Sequence, residues 1–484
     1  MDKINLVVIG AGPGGYAAAF FAADLGMNVT LVDAEKNPGG VCLYRGCIPS
    51  KALLHIAKLL NEVKEAKEWG VEFGEPKIDL DKLRDFKNKV VGKLTGGLGV
   101  LSKQRKINFI QGRASFVNSA SIMVEKADGT KEEIKFDKAI IATGSVIATI
   151  PSLVVNSPRL LNSTSALDLP AIPKSLLVVG GGYIGLELGS VYAALGTKVS
   201  VVEVLDGLLP GADRDMVMFL QKKLQGSFER IMLQSKVIEI KEVEDGLAVK
   251  IESKNGSTEE IIYDHVLMSI GRKPETRGLG LENTKVMINE RGWIVADETL
   301  KTSDPNIYAI GDIVGEPMLA HKASHEGRVA VESIAGHKVA FEPKAIPAVV
   351  FTDPEIAWAG MTENQAKQKG LKYEVAKFPW AASGRATTLD RSDGVTKIIV
   401  EPYTERILGP QIRKNFGGWD LRTRSRRIDS RRNISYRNGG QSYRCKTHYS
   451  SASNIERNID GGGGSVFRSL HTSLQTKENI NIFY

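Results

Sequence analysis

Cysteine is scarce in this chain: there are three in 484 residues, at positions 42, 47 and 445. Three thiols cannot build the disulfide framework of a small secreted domain, and their spacing fits no zinc-binding pattern. No apolar run approaches the roughly 18 residues of a membrane-spanning helix, so no membrane is expected as a partner. The sequence passes from Met-Asp-Lys straight into an apolar stretch, Ile4 to Ile9. That leaves no room for a signal or transit peptide, and a cytoplasmic location is expected. Excess positive charge is missing from most of the chain as well. The net charge is +8, but residues 410–484 hold 14 Lys/Arg against 5 Asp/Glu, so the first 409 residues carry a net of −1. A basic protein invites a search for nucleic acid; here the charge belongs to the last segment alone, and no nucleic acid is expected.

What is present reads as an ordinary globular composition, 42% hydrophobic and 25% charged, over a length that accommodates about three domains. The stretch Ile4–Ile9 predicts a buried parallel strand. It runs into Gly10-Ala11-Gly12-Pro13-Gly14-Gly15, an Ala-rich helix over Tyr16–Leu25, and a second strand over Asn28–Val32 that ends at Asp33. This is the dinucleotide-binding pattern in its structural setting. Gly10 serves the tight turn, Gly12 the approach of a pyrophosphate and Gly15 the close helix–strand packing, while Asp33 accepts from a ribose hydroxyl. The pattern recurs after Pro173. Leu176–Val179 leads into Gly180, Gly182 and Gly185, a helix to Leu195, and a strand Lys198–Val202 ending at Glu203. Two complete units imply two dinucleotides. A carboxylate at Glu203 bonds a free 2′-hydroxyl and repels a 2′-phosphate, so NAD is expected rather than NADP.

Just beyond the first unit lies Gly39-Gly40-Val41-Cys42-Leu43-Tyr44-Arg45-Gly46-Cys47-Ile48-Pro49-Ser50-Lys51. Two free cysteines in a cytosolic protein are often only small buried hydrophobes. These two sit beside a dinucleotide crevice, flanked by glycines, Arg45 and Lys51. Positive charge and a helix N-terminus both favour the reactive thiolate. A redox-active pair is therefore expected at Cys42 and Cys47.

This stretch resembles the active-disulfide motif of the pyridine nucleotide–disulfide oxidoreductase family, nearest to the branch that oxidises dihydrolipoamide. The resemblance runs from about residue 4 to about residue 409. Ala142-Thr143-Gly144-Ser145 resembles the family's crossover from the flavin to the NAD domain, and Ile270-Gly271-Arg272-Lys273-Pro274 the return crossover. Tyr308-Ala309-Ile310-Gly311-Asp312 resembles the second flavin motif, with Met318-Leu319-Ala320-His321 following at family-like spacing. Val349-Val350-Phe351-Thr352-Asp353-Pro354-Glu355 resembles the start of the dimer-interface domain.

The resemblance implies an α/β protein: two Rossmann-like dinucleotide-binding domains and an α+β dimer-interface domain, aberrant after about residue 409. It implies an FAD-binding domain in two parts, 1–150 and 276–345, an NAD-binding domain at 151–275, the N-terminal part of the dimerisation domain at 346–409, and an aberrant basic tail at 410–484. Cys42 is implied as the interchange thiol and Cys47 as the flavin-proximal thiol. Lys51 is implied near the flavin, Glu187 near the nicotinamide and Asp312 on the ribityl chain. Further cofactor contacts are implied at Ala114, Thr143, Gly144, Val237, Gly271, Arg272 and Ala320. The implied reaction is oxidation of dihydrolipoamide with reduction of NAD, through the disulfide and FAD. The implied partners are lipoyl domains of 2-oxo acid dehydrogenase acyltransferases or the glycine cleavage H protein, and a second copy of the chain. The alternatives are a related NAD(P)H-dependent disulfide reductase, or a flavoprotein that has lost its catalytic C-terminus. No metal is expected.

The tail departs from the family. There the base that activates the incoming thiol is a histidine in a His-Pro-His-Pro-Thr stretch, oriented by a glutamate and acting across a dimer interface. Here His448 is followed by Tyr449-Ser450-Ser451, and His471 lies in a polar segment. Yet when Tyr449–Phe467 is written in permitted synonymous codons chosen to suit and read one base later, it gives THPHPTLSETLMEAAEAF. Each shifted codon begins with the middle base of the literal codon, which residue identity largely fixes. A frameshift between about Gly409 and His448 is expected, with poor dimerisation and little dihydrolipoamide turnover for the chain as written.

Overall fold

The computed structural model describes residues 3–414 and the strand segments 435–438 and 441–444. Cys445, His448, His471 and the shifted-frame segment lie outside the described residues. The chain divides between Ile356 and Ala357 into two compact units.

The first unit is organised by the expected strand–turn–helix–strand repeat. Strand β1 (Asn5–Ile9), helix α1 (Pro13–Asp24) and strand β2 (Asn28–Asp33) form the first βαβ element, with β1 and β2 parallel. The apolar run explains itself in packing. Leu6 and Val8 enter a core with Ala18, Ala19, Ala22 and Ala330, while Val7 and Ile9 enter a second core with Ile141, Ile307 and Ile313. A strand covered on both faces has no polar positions to alternate, which is why its sequence reads as continuous apolar residues.

Helices α2 (Gly40–Arg45), α3 (Cys47–Glu65) and α4 (Leu80–Gln104) follow. Next come β3 (Asn108–Asn118), β4 (Ser121–Lys126), β5 (Lys131–Lys135) and β6 (Lys138–Ile141). The short strand β7 (Ser145–Ile147) leaves this layer, and β8 (Leu160–Asn162) and helix α5 (Ser163–Leu167) open the second nucleotide unit. That unit consists of β9 (Ser175–Val179), α6 (Tyr183–Ala194), β10 (Lys198–Glu203), α7 (Arg214–Ser227) and β11 (Arg230–Leu233). The antiparallel strands β12 (Ser235–Val243), β13 (Gly246–Ser253) and β14 (Thr258–Tyr263) come next, then β15 (His265–Met268). Strand β16 (Arg272–Pro274) returns the chain, and β17 (Ile307–Ala309) and α8 (Ala320–Ile334) complete the first layer.

The first sheet runs β17-β6-β1-β2-β3-β4-β5 and the second β11-β10-β9-β15-β8. In each, the Gly-rich turn follows a central strand at its C-terminal end, where ligands of open parallel sheets bind. The outgoing β7 and returning β16 pair antiparallel, Ser145 opposite Pro274 and Ile147 opposite Arg272, forming a neck between the two layers. Strands β18 (Ala348–Val350) and β19 (Glu355–Trp358) follow. In the second unit, β20 (Glu374–Pro379), β21 (Val395–Val400) and β22 (Ile407–Lys414) form an antiparallel sheet. Regular structure therefore persists beyond residue 409, where the sequence pattern was expected to fail. Gln411 and Ile412 still pair with Lys397 and Thr396, so the ladder carries β22 past the last clearly periodic residue.

Candidate active site

Cys47 is the first residue of α3, whose N-cap, Gly46, supplies no side-chain bond to the first turn. Unsatisfied N–H groups at a helix start favour a thiolate. Cys42 lies on α2; both cysteines are free, Cys42 half-buried and Cys47 open to solvent on one side while the protein packed around it desolvates its thiol. The thiol of Cys42 donates to Cys47, and this bond, with help from Lys51, lowers the Cys47 thiol from its ordinary 9.0 to about 7 against the opposing effects of burial and Glu187. Cys42 is pushed the other way by the same bond, by burial and by the nearby Cys47 charge. One thiolate and one thiol is thus the stable arrangement of the reduced pair, with the negative charge on Cys47.

Lys51 follows Cys47 by one helical turn on α3, so the two share a face. Its Nζ lies 3.9 Å from the centroid of the Phe351 ring. Arg45, also expected to supply positive charge to the thiols, is instead paired with Glu35. Lys51 is the cation that acts on the pair.

Glu187 projects from α6 and is 7% exposed. Its Oε2 accepts from Ser50 Oγ at 2.9 Å and its Oε1 from the Phe351 N–H at 2.9 Å. Burial raises its carboxyl above the ordinary value, and the Phe351 bond, Lys51 and Ser50 work against that rise. Ser50 was not singled out from the sequence, although it ties the cysteine-bearing helix to the second nucleotide unit. Tyr183, the first residue of α6, was also missed. It exposes 43% of its surface, yet its hydroxyl lies among protein atoms and charges. Burial, assisted by Cys47, Glu187 and Asp312 and opposed by Arg272, pushes the phenol up to about 12. Cys47, Glu187, Arg272 and Asp312 therefore all act electrostatically on one tyrosine, from the cysteine motif, the second nucleotide unit, the return crossover and the second flavin-like motif.

The two Gly-rich turns show a division of labour among their glycines. Gly180 has φ +108°, and a Cβ there would lie 2.6 Å from Ser269 O; Gly10 has φ +96° and would meet Ala142 O. A Cβ on Gly15 would run into Gly10 O, and one on Gly185 into Gly180 O. The first and third glycines are thus demanded by the protein's own packing. The second are not. A Cβ on Gly182 would have no protein atom within 4 Å, and one on Gly12 would meet only Gly40 Cα, at 4.0 Å. Each lies at the start of a helix without a side-chain cap, a cradle that fits a pyrophosphate.

This gives a sharp expectation. Gly182→Ala, at φ −78° and ψ 176°, should leave the fold intact or stabilise it by about 0.4–1 kcal/mol, while the KM for NAD rises at least about tenfold, or about 1.4 kcal/mol. Gly180→Ala should instead destabilise the protein by more than that gain, because both its φ and its space are wrong. Thermal unfolding and NAD kinetics on the two variants separate these outcomes.

The acids at the strand ends do more than the sequence suggested. Asp33 accepts from the N–H groups of Ala11 (2.6 Å) and Glu35 (2.9 Å), and Glu203 from those of Gly181 (2.7 Å) and Leu205 (2.8 Å). Each carboxylate braces its own Gly-rich turn and retains lone pairs for another donor. Burial raises the carboxyl of Asp33.

The remaining expected positions are distributed along the frame. Thr143 Oγ1 donates to Glu275 O at 2.9 Å, and Gly144 O accepts from the Glu275 N–H at 3.1 Å. Gly271 has φ +119° beside Arg272 in the neck. Ala320 is the first residue of α8. Ala114 sits in β3 and Val237 in β12, where the ladder to β13 shifts register.

Residues 4–327 match the family model for pyridine nucleotide-disulphide oxidoreductases, and residues 346–413 match that family's dimerisation domain. The chain is 48% identical over 416 residues to a dihydrolipoyl dehydrogenase of Haemophilus influenzae, covering 86% of this chain and 87% of the relative. It is 45% identical over 410 residues to a dihydrolipoyl dehydrogenase of Geobacillus stearothermophilus, covering 85% and 86%. Among solved structures it is similar to LpdA from Mycobacterium tuberculosis, with a TM-score of 0.78 at 28% identity over 85% of this chain and 90% of that one. It is also similar to the HOCl-induced flavoprotein disulfide reductase from Escherichia coli, with a TM-score of 0.74 at 31% identity over 84% and 89%.

Proposed function

We propose, from the premise that this chain belongs to the pyridine nucleotide-disulphide oxidoreductase family, that it oxidises dihydrolipoamide to lipoamide and reduces NAD, using Cys42, Cys47 and FAD. The observation that carries this reading is the polarised cysteine pair. Cys47 is the stabilised thiolate at a helix start, Cys42 the neutral thiol, with Lys51 and Glu187 beside them.

The chemistry follows from that polarity. A dihydrolipoyl thiolate attacks Cys42 Sγ of the oxidised pair, the Cys42–Cys47 bond breaks, and Cys47 leaves as the thiolate that its surroundings favour. The second lipoyl thiolate then attacks the lipoyl sulfur of the mixed disulfide, and Cys42 departs and takes up a proton. The substrate has lost two electrons and the cysteine pair has gained them. FAD supplies the step from a dithiol to a hydride acceptor, which no side chain can perform. The residues that would hold it are those of the first Gly-rich turn, Asp33, Lys51 and Asp312. NAD would be the electron acceptor; the residues that would hold it are those of the second Gly-rich turn and Glu203, with Glu187 proposed on the nicotinamide side. A lipoyl domain would present the dithiol, and a second copy of the chain would complete the site.

The missing base belongs to the same reading. The family's His-Pro-His-Pro-Thr stretch is absent from the literal sequence but is recovered one base out of frame when Tyr449–Phe467 is written in suitably chosen synonymous codons, so the natural product of this gene is proposed to carry it.

Flavin loading followed by anaerobic mixing with nicotinamides tests the assignment without depending on the tail. The loaded chain should be yellow, and NADH should bleach it at least about tenfold faster than NADPH at equal concentration, since Glu203 repels a 2′-phosphate. A colourless protein, or equal bleaching by the two, would overturn the reading.

A further inference from the structure

The neck between the two nucleotide units joins Asp312 to two side chains, Ser145 and Arg272, that no step above uses. Arg272, on the returning β16, donates from Nε to Ser145 Oγ at 2.7 Å and from Nη2 to Ser145 O at 2.5 Å. Ser145, on the outgoing β7 and 4% exposed, donates from Oγ to Asp312 Oδ2 at 2.5 Å. The direction of these bonds is forced. A guanidinium only donates, so the Ser145 oxygen accepts from Arg272 and its single proton must go to Asp312. Asp312 Oδ1 has no protein hydrogen bond among the described residues.

The turn that presents Asp312 is fixed independently of this chain. Glu326 Oε2 accepts from the Gly311 N–H at 2.7 Å, and Lys322 Nζ donates to Gly311 O and Gly315 O at 3.2 Å each. Lys322 and Glu326 pair at 2.9 Å with side chains 6% and 3% exposed. The buried pair therefore sets the backbone of the turn. What it leaves undetermined is the rotation of the Asp312 carboxylate.

We propose that Ser145 is a positioning residue: gripped by Arg272, its hydroxyl orients the Asp312 carboxylate toward the flavin and registers the neck against the flavin site. This rests on the reading of Asp312 as a flavin contact. A carboxylate free to rotate must lose that freedom on binding, whereas one already held through Oδ2 presents Oδ1 at no further entropic cost. Because Ser145 acts only when Arg272 fixes its proton, the two side chains form one unit rather than two additive contacts.

The test is FAD binding to apoprotein, followed by flavin fluorescence quenching, for the wild type, Ser145→Ala, Ser145→Thr, Arg272→Met and the Ser145→Ala/Arg272→Met double variant. Ser145→Ala should raise the Kd at least about tenfold, with the melting temperature of the apoprotein unchanged. Ser145→Thr, which keeps the hydroxyl, should stay within about threefold of the wild type. The double variant should be no weaker than the worse single one. The inference is overturned if Ser145→Ala binds FAD within about twofold of the wild type, or if the single effects add. It is likewise overturned if the apoprotein of Ser145→Ala melts earlier in proportion to its lost affinity, since a folding role would then suffice. A wild-type apoprotein that takes up no FAD would instead overturn the functional reading itself.

Discussion

Replacing Cys47 with serine is expected to lower dihydrolipoamide-linked turnover by roughly 10³-fold or more and to halve the electron uptake of the flavin-loaded chain, from two pairs to one. The cysteine couple accepts one pair and the flavin the other, so removing either sulfur removes a whole redox centre while the Gly-rich turns and Asp312 stay as they are. Anaerobic reductive titration reads the count directly and does not depend on a functional tail. The same variant carries a pH signature. Cys47 titrates at about 7 rather than 9.0, so its folded-state value is depressed. The stabilisation of the reduced form by its thiolate is fully present above the ordinary thiol value and is lost as pH falls through about 7. Ultraviolet thiolate absorbance of the reduced apoprotein should therefore show a step near pH 7 that Cys47→Ser abolishes. A step that survives in the variant, or a wild-type midpoint near the unperturbed value, would sink the assignment of the charge to Cys47.

How far the sequence could carry this site follows from the range over which each interaction acts. The strand–turn–helix–strand units were legible because their logic is local. An apolar run, glycines at fixed offsets and an acid some twenty residues on all answer to one turn of backbone. The cysteine pair was legible for the same reason. Ser50, Ser145 and Tyr183 were not. Ser50 meets Glu187 across 137 residues, and Ser145 meets Arg272 and Asp312 across 127 and 167. A serine in a motif gives no sign of which distant carboxylate it will face. Proximity in sequence also misled: Arg45 lies between the cysteines but turns to Glu35, and Lys51, a helical turn beyond Cys47, acts in its place. The strand-end acids were correctly located, but their bonds to Ala11 and Gly181 appear only once the turn is built. A single-sequence pattern shows an acid at the right place, not which donors reach it first.

Translating the gene through the shifted frame is expected to raise dihydrolipoamide turnover by about 10²–10⁴-fold over the chain as written, the usual worth of a positioned general base. The physical reason lies in the substrate. A cysteine thiol titrates near 8.5, and an alkyl dithiol without the peptide's electron-withdrawing groups titrates higher, so at neutral pH at most a few per cent of dihydrolipoamide is the thiolate that can attack Cys42. A histidine near neutral pKa removes that proton in place. Without it, the rate must follow the thiolate already present in solution. The literal chain should therefore gain activity about tenfold per pH unit below the thiol value and level off above it. The in-frame product should be far less steep between pH 7 and 8.5, because its base supplies the thiolate at the site. Sequencing codons 405 to 470 establishes which chain the gene encodes, and pH–rate profiles of both proteins establish what the difference does. If the written frame holds on both strands, and the literal chain turns over dihydrolipoamide at a high rate with a shallow profile at neutral pH, then some other group deprotonates the substrate. The base would then have to be sought among the residues around the cysteine pair, where Glu187, a buried carboxylate raised in pKa, already acts on Cys47.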